Sequence, residues 1–312
     1  MGSQDQKADD SIRVSTRGVG LAVFIGGRPD APPVVVLHGF TGSAASMEGV
    51  SAGLRDEFRV HAIDLVGHGE SDAPDDVALY SMEACVAQVI AVLDAVGIAR
   101  AHFIGYSMGG RVALSLAASQ PGRVGSLVLV GVSPGERDPA ARAQRMEADD
   151  ALARGILDRG VEAFVDDWMA LPLFASQRRL GEEALALARR QRLTCRPLGL
   201  ANSLRGMGSG AMPALTERLG EIDRPVLLVV GAEDSKFSAV ADAMLPAFPQ
   251  AELIEIAEAG HAAHLEQPQV FQAVCQDFLR SVIRAEARSD GERRATPPPT
   301  EARPSPGEKR LP

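Results

Sequence analysis

The run Phe103-Ile104-Gly105-Tyr106-Ser107-Met108-Gly109-Gly110-Arg111 constrains this chain more than any other. It reads G-x-S-x-G, with an apolar lead-in from Ala101 to Ile104 and a helix-forming stretch, Arg111 to Ser119, behind it. That is a strand, a sharp turn and a helix, with a serine at the apex. A turn so tight puts Ser107 in a strained backbone conformation. Side chains at 105 and 109 would collide with neighbouring backbone, so both positions are glycine. The hydroxyl is then held clear of a sheet, at a helix N-terminus. The flanking strand and helix set this turn apart from a glycine-rich loop with an incidental serine.

The rest of the chain supplies a sheet for that strand. Residues 11–16 and 21–25 alternate apolar and polar around Arg17-Gly18-Val19-Gly20, a hairpin pattern. The run at 34–37 is apolar on both faces, as a buried parallel strand is, 126–130 reads as another buried strand, and 58–63, 225–230 and 252–256 read as further strands. Helical patterns lie between them, one from Ser81, a fitting N-cap, to Val96. Such alternation predicts an α/β fold: a mostly parallel central sheet with helices on both faces. From Gly135 to about Arg205 the alternation stops and the sequence is helical, rich in Ala, Arg, Glu and Leu. This block is predicted to be a lid on the carboxyl side of the strands, where open α/β sheets bind ligands. The expected organisation is a disordered N-terminus at 1–11, a core at 12–134 and 211–284, a helical lid at 135–210 and a disordered Pro-rich tail at 285–312.

With 312 residues and 46% apolar content there is material for a large core. A net charge of −9 argues against a nucleic-acid partner. No apolar run reaches membrane-spanning length. Met1 to Asp10 is polar and acidic, unlike a signal or transit peptide. Cys85, Cys195 and Cys275 are widely spaced and read as reduced core residues without metal spacing. The expectation is a cytoplasmic protein, a monomer or weak homo-oligomer, with no cofactor or metal and no membrane partner.

A serine nucleophile needs a base, and the base needs an orienting acid. In this topology they follow in the order Ser, Asp, His, each after a strand. The strand at 225–230 ends in Gly231-Ala232-Glu233-Asp234, which offers Asp234 with Glu233 as competitor. The strand at 252–256 leads to Ala259-Gly260-His261, which offers His261 with His264 as competitor. Gly260 favours His261 by letting the backbone turn it toward the site. Two backbone N–H groups, those of Phe40 and Met108, are the expected oxyanion hole. His38 and His68 read as loop supports.

Five stretches carry a resemblance covering roughly residues 12 to 282. They are Leu37-His38-Gly39-Phe40-Thr41-Gly42-Ser43, Gly105 to Arg111, Asp167-Trp168 through Leu171-Pro172-Leu173-Phe174, Ser203 to Gly210, and Gly231 to Phe237 with its Asp-x-Lys-Phe ending. With them the chain resembles the α/β-hydrolase superfamily. Within it, the chain is similar to the MenH-like family of 2-succinyl-6-hydroxy-2,4-cyclohexadiene-1-carboxylate synthases of menaquinone biosynthesis. The resemblance implies a lyase that eliminates pyruvate, with the serine as base and the oxyanion hole holding an enolate. It further implies a small polycarboxylate substrate. Arg111, Arg142, Arg145 and Arg192 would bind its carboxylates, and Tyr106 and Trp168 would line the pocket. Two other readings share the same motifs. One is a serine esterase or carbon–carbon bond hydrolase, and the other is a non-catalytic ligand receptor.

Overall fold

The computed structural model describes residues 10–295. Within them, eight strands form one sheet in the order β1-β2-β4-β3-β5-β6-β7-β8. The strands are β1 (Asp10–Thr16), β2 (Val19–Gly26), β3 (Pro33–Leu37), β4 (Arg59–Ile63), β5 (Ala101–Tyr106), β6 (Val124–Val130), β7 (Val226–Gly231) and β8 (Ala251–Ile256). The β1–β2 hairpin and the β2–β4 pair are antiparallel, and every other pairing is parallel. The strands lie within one or two residues of their predicted places.

Period-two side-chain alternation splits the core into two layers. Val35, Leu37, Phe103, Leu127 and Leu129 point to one face, where they meet α2 (Met82–Ala95), α3 (Met108–Ser119) and α7 (Ser235–Met244). Val34, Val36, Ile104, Val128 and Val130 point to the other, against α1 (Glu48–Leu54) and the terminal helix. The N-cap expected at Ser81 is present, its side chain accepting from Ala84 N–H.

Between β6 and β7 the chain leaves the sheet. It forms α4 (Pro139–Met169), which is broken at Gly160 (φ 82°, ψ 172°), then 3-10 turns over Pro172–Leu180, then α5 (Gly181–Leu193) and α6 (Pro197–Met207). This insertion has a small core of its own, built on Ile156, Phe164, Val165, Leu200 and Leu204. Its two ends are tied together. Leu215 N–H donates to Pro134 O at 2.7 Å and Glu136 N–H to Ser209 O at 3.2 Å.

After β8 come the short α8 (Ala263–Glu266) and α9 (Pro268–Ala295). Here the sequence expectation needs correction. The predicted disordered tail begins at 285, but α9 runs on to Ala295, and the Glu286 carboxylate meets the Arg100 guanidinium at 2.6 Å. The stretch Arg284 to Ala295 is rich in Ala, Arg and Glu, which are good helix formers. At the other end, Asp10 and Ser11 of the predicted disordered stretch 1–11 open β1 instead. The rest of the two predicted disordered stretches, residues 1–9 and 296–312, lies outside the described residues.

Burial of histidines gives the fold an acid weakness. His61, His68, His102 and His264 are each at most 5% exposed. Burial, the largest cause in every case, pulls His61 and His102 down to about 4 and His68 and His264 to about 3. A folded-state pKa below the unfolded one means stability that is complete above about 6.5 and lost as the pH falls toward those values. Denaturant unfolding is expected to give constant stability above pH 7. By pH 5 it should show a loss of up to about 2 kcal/mol per buried histidine. A flat profile from pH 7 to 5 would refute neutral burial.

Candidate active site

Ser107 stands between β5 and α3 at φ 48°, ψ −105°, the strained turn that the sequence required. A Cβ on Gly105 would lie 2.5 Å from Gly110 Cα, and one on Gly109 would run into the carbonyl oxygens of Leu37 and His38. The turn is therefore closed to any larger residue at either position.

Asp234 follows β7 as the N-cap of α7, its Oδ1 accepting from Phe237 N–H at 3.3 Å. Its Oδ2 lies 2.7 Å from His261 Nδ1, and His261 Nε2 lies 3.2 Å from Ser107 Oγ. With Nδ1–H donating to the carboxylate, Nε2 is left as the acceptor for the serine hydroxyl. Asp234 and His261 are both buried. The His261 ring is packed against Phe237 at 4.4 Å and Tyr106 at 5.4 Å. Of the competitors, Glu233 is exposed and pairs with Arg179 at 2.9 Å. His264 sits between the rings of Tyr106 and Phe271, held at about 3 mainly by burial. Neither competitor joins the serine. The reason given for Gly260 is corrected: it has no positive φ, and its lack of a side chain makes room for Ser176 of the insertion.

Phe40 lies in the loop after β3, and Met108 is the first residue of α3, where helix N–H groups have no intrahelical partner. Both border the cavity over Ser107. The Phe40 loop is pinned by His38, whose Nδ1–H donates to Gly39 O at 2.8 Å while Nε2 accepts from Leu65 N–H at 3.0 Å. Burial lowers the His38 pKa, consistent with that neutral ring. His68 stands against it, ring centres 5.0 Å apart, as a second loop support.

The cavity measures about 400 Å³ and is lined by core and insertion together. Arg111 is in its wall, with Nη2 donating to Met207 O at 3.0 Å. Its buried Nε has no partner among the described residues. Burial, then the neighbouring Arg145, pull this guanidinium down to about 10, so it stays charged at neutral pH. Arg145 also lines the cavity and bonds the buried Asp149 at 2.9 Å. Tyr106 and Trp168 line it as well, the indole packed edge-on against Phe40 at 5.3 Å.

Two predicted residues are elsewhere. Arg142 faces the insertion's return, with Nη2 donating to Ala211 O at 3.1 Å. Arg192 borders a separate cavity of about 170 Å³ beyond Phe40 and Tyr106, where Nη1 donates to Ala188 O at 3.0 Å and burial lowers its pKa. Helical spacing could not decide which arginine faces the serine, because it does not tell how the insertion is docked. Glu136, Phe174, Lys236 and Phe237 line the Ser107 cavity without having been given a role at the site. For Lys236 and Phe237 the signal was there, in their places two and three residues after Asp234.

Comparison with known proteins follows the same lines. Residues 32–268 match the family model described as alpha/beta hydrolase fold. The chain belongs to the α/β-hydrolase family. Among its relatives, a Bacillus subtilis (strain 168) protein, provisionally named 2-succinyl-6-hydroxy-2,4-cyclohexadiene-1-carboxylate synthase, is 42% identical over 85% of this chain and 96% of its own length. The synthase of that name from Serratia proteamaculans (strain 568) is 33% identical over 81% of this chain and 95% of its own. The solved structure of MenH from S. aureus superposes with a TM-score of 0.80 at 34% identity, covering 83% of this chain and 98% of that one. Within the α/β-hydrolases, the chain belongs with these synthases.

Proposed function

We propose that this α/β-hydrolase is a carbon–oxygen lyase of menaquinone biosynthesis. It would convert 2-succinyl-5-enolpyruvyl-6-hydroxy-3-cyclohexene-1-carboxylate into 2-succinyl-6-hydroxy-2,4-cyclohexadiene-1-carboxylate and pyruvate. The relatives' names support that reading. The single observation that carries it is the placement of two guanidiniums, Arg111 and Arg145, in the cavity of a hydrogen-bonded Ser107–His261–Asp234 set. An esterase for neutral esters gains nothing from the buried Arg111 guanidinium, which must be desolvated. A polycarboxylate gains charge-assisted contacts.

In this reading His261 holds the proton of Ser107, and the serine oxygen removes the ring proton beside the succinyl ketone. The ketone oxygen becomes an enolate, held by the Phe40 and Met108 N–H groups. As the enolate collapses, the ring double bond shifts and the carbon–oxygen bond to the enolpyruvyl group breaks. The leaving enolpyruvate takes up a proton and becomes pyruvate. Atoms balance with no acyl-enzyme, no water consumed and no cofactor. Arg111 and Arg145 take carboxylates, and Tyr106 and Trp168 pack on the ring. We also propose that the protein works as a monomer or weak homo-oligomer, with neither nucleic acid nor membrane as partner. We further propose that the reaction takes place in the cytoplasm. Among the described residues no helix is long and apolar enough to cross a membrane.

The test is pyruvate release from the enolpyruvyl substrate generated in situ. Stoichiometric pyruvate and cyclohexadiene product are expected. Turnover of esters with none of this substrate would overturn the reading in favour of a hydrolase.

A further inference from the structure

The chain has 32 basic side chains, yet only three are lysines: Lys7, Lys236 and Lys309. Lys236 alone falls within the described residues, and it lies at the cavity that contains Ser107. Everywhere else in the described chain, where a cation braces the structure, an arginine fork is used. Lys236 braces nothing. Among the described residues it forms no ion pair or hydrogen bond, and its side chain passes over the Phe237 ring, Nζ 5.5 Å from the centroid. Its place in the first turn of α7 sets a positive charge on the positive end of a helix dipole, which does the helix no good. Phe237 in turn packs on His261 at 4.4 Å, so the ammonium stands at the cavity mouth, on the triad side.

The charge around it is lopsided. The chain as a whole carries −9. The cavity wall nevertheless holds Arg111, Arg145 and Lys236 against Glu136, with Asp149 bound to Arg145 behind the wall. The two arginines are fixed by bonds to Met207 O and Asp149. Lys236 is exposed, with a flexible stem and a compact charge.

We propose that Lys236 is a specificity-determining residue that binds the third carboxylate of a tricarboxylate substrate at the cavity mouth, leaving the other two to Arg111 and Arg145. The inference rests on the function proposed above, whose substrate carries ring, succinyl and enolpyruvyl carboxylates. It divides the cavity's cations into two arginines held by bonds to Met207 O and Asp149 and one unbonded lysine, which selects three anionic groups over two.

The experiment separates this role from the identity of the reaction. A neutral fluorophosphonate labels Ser107, and tricarballylate, a plain tricarboxylate, competes with it. Lys236→Ala is expected to weaken tricarballylate protection about five-fold, with the unprotected labelling rate unchanged. Protection by glutarate, a dicarboxylate, should change little, and Lys236→Arg should restore most of the loss. In pyruvate release, Lys236→Ala should raise KM by about the same factor with kcat altered less than about two-fold. Equal tricarballylate protection in wild type and Lys236→Ala overturns the assignment, whatever the turnover. A slowed labelling rate also overturns it, since Lys236 would then act through the triad. Lys236-dependent protection in an enzyme that releases no pyruvate supports the lysine and sinks the lyase reading instead.

Discussion

Ser107→Ala and His261→Ala each lower kcat for pyruvate release by about a thousand-fold or more, with melting temperature nearly unchanged. The hydroxyl and the imidazole form one hydrogen-bonded unit, 3.2 Å from Oγ to Nε2, so the double variant is expected to be little worse than either single. Asp234→Asn joins this group, because the carboxylate 2.7 Å from Nδ1 fixes the tautomer that leaves Nε2 free. The neighbours serve as controls. Glu233→Gln removes only an exposed pairing with Arg179 and should keep full turnover. Steady-state kinetics with circular dichroism decide the matter. Near-normal turnover in Ser107→Ala would remove the serine from the chemistry, and with it the proposed mechanism.

The second large effect is at Arg111. A buried guanidinium meeting a carboxylate contributes roughly 1.5–3 kcal/mol, so Arg111→Ala should lower kcat/KM for the enolpyruvyl substrate by about ten- to a hundred-fold. The structure adds a term that its place in the sequence did not suggest. Arg111 Nη2 also holds the Met207 carbonyl at the end of α6. Its removal leaves that acceptor without its donor, so a lower melting temperature should accompany the kinetic loss. Arg111→Lys separates the two roles: it keeps the charge and loses the fork. A drop in melting temperature with kcat/KM unchanged would make Arg111 a brace for the insertion and would withdraw the main local support for a polycarboxylate substrate.

What could be read from residues alone follows from where each constraint lives. The strands are legible because buried parallel strands are apolar on both faces, and the sites of Ser107, Asp234 and His261 are legible because each stands at a strand's carboxyl end. Backbone topology dictates those positions. The arginines of the insertion obey no such rule. Arg142 and Arg145 are three residues apart, yet one bonds Ala211 O while the other faces the cavity. The difference is set by how α4 rests on α6, a packing fact that no local pattern encodes. Arg192 was lost to a neighbouring cavity for the same reason. At the other end, residues 285–295 read as tail because they lack large apolar side chains, although helix propensity and the Arg100–Glu286 pair extend α9 through them.

The knotted neck of the insertion, where Leu215 meets Pro134 and Glu136 meets Ser209, has an evolutionary consequence. A segment that enters and leaves through hydrogen-bonded neighbours behaves as a cassette: its ends are already closed, so exchange for another of different length adds little loop entropy. The strand ends that carry Ser107, Asp234 and His261 lie outside it. An ancestral chain could therefore replace its entire substrate roof in one recombination event and keep its proton-transfer machinery intact. Selectivity here is portable in a way that the reaction centre is not, and chimaeras spliced at 134 and 215 are the natural route to new substrates.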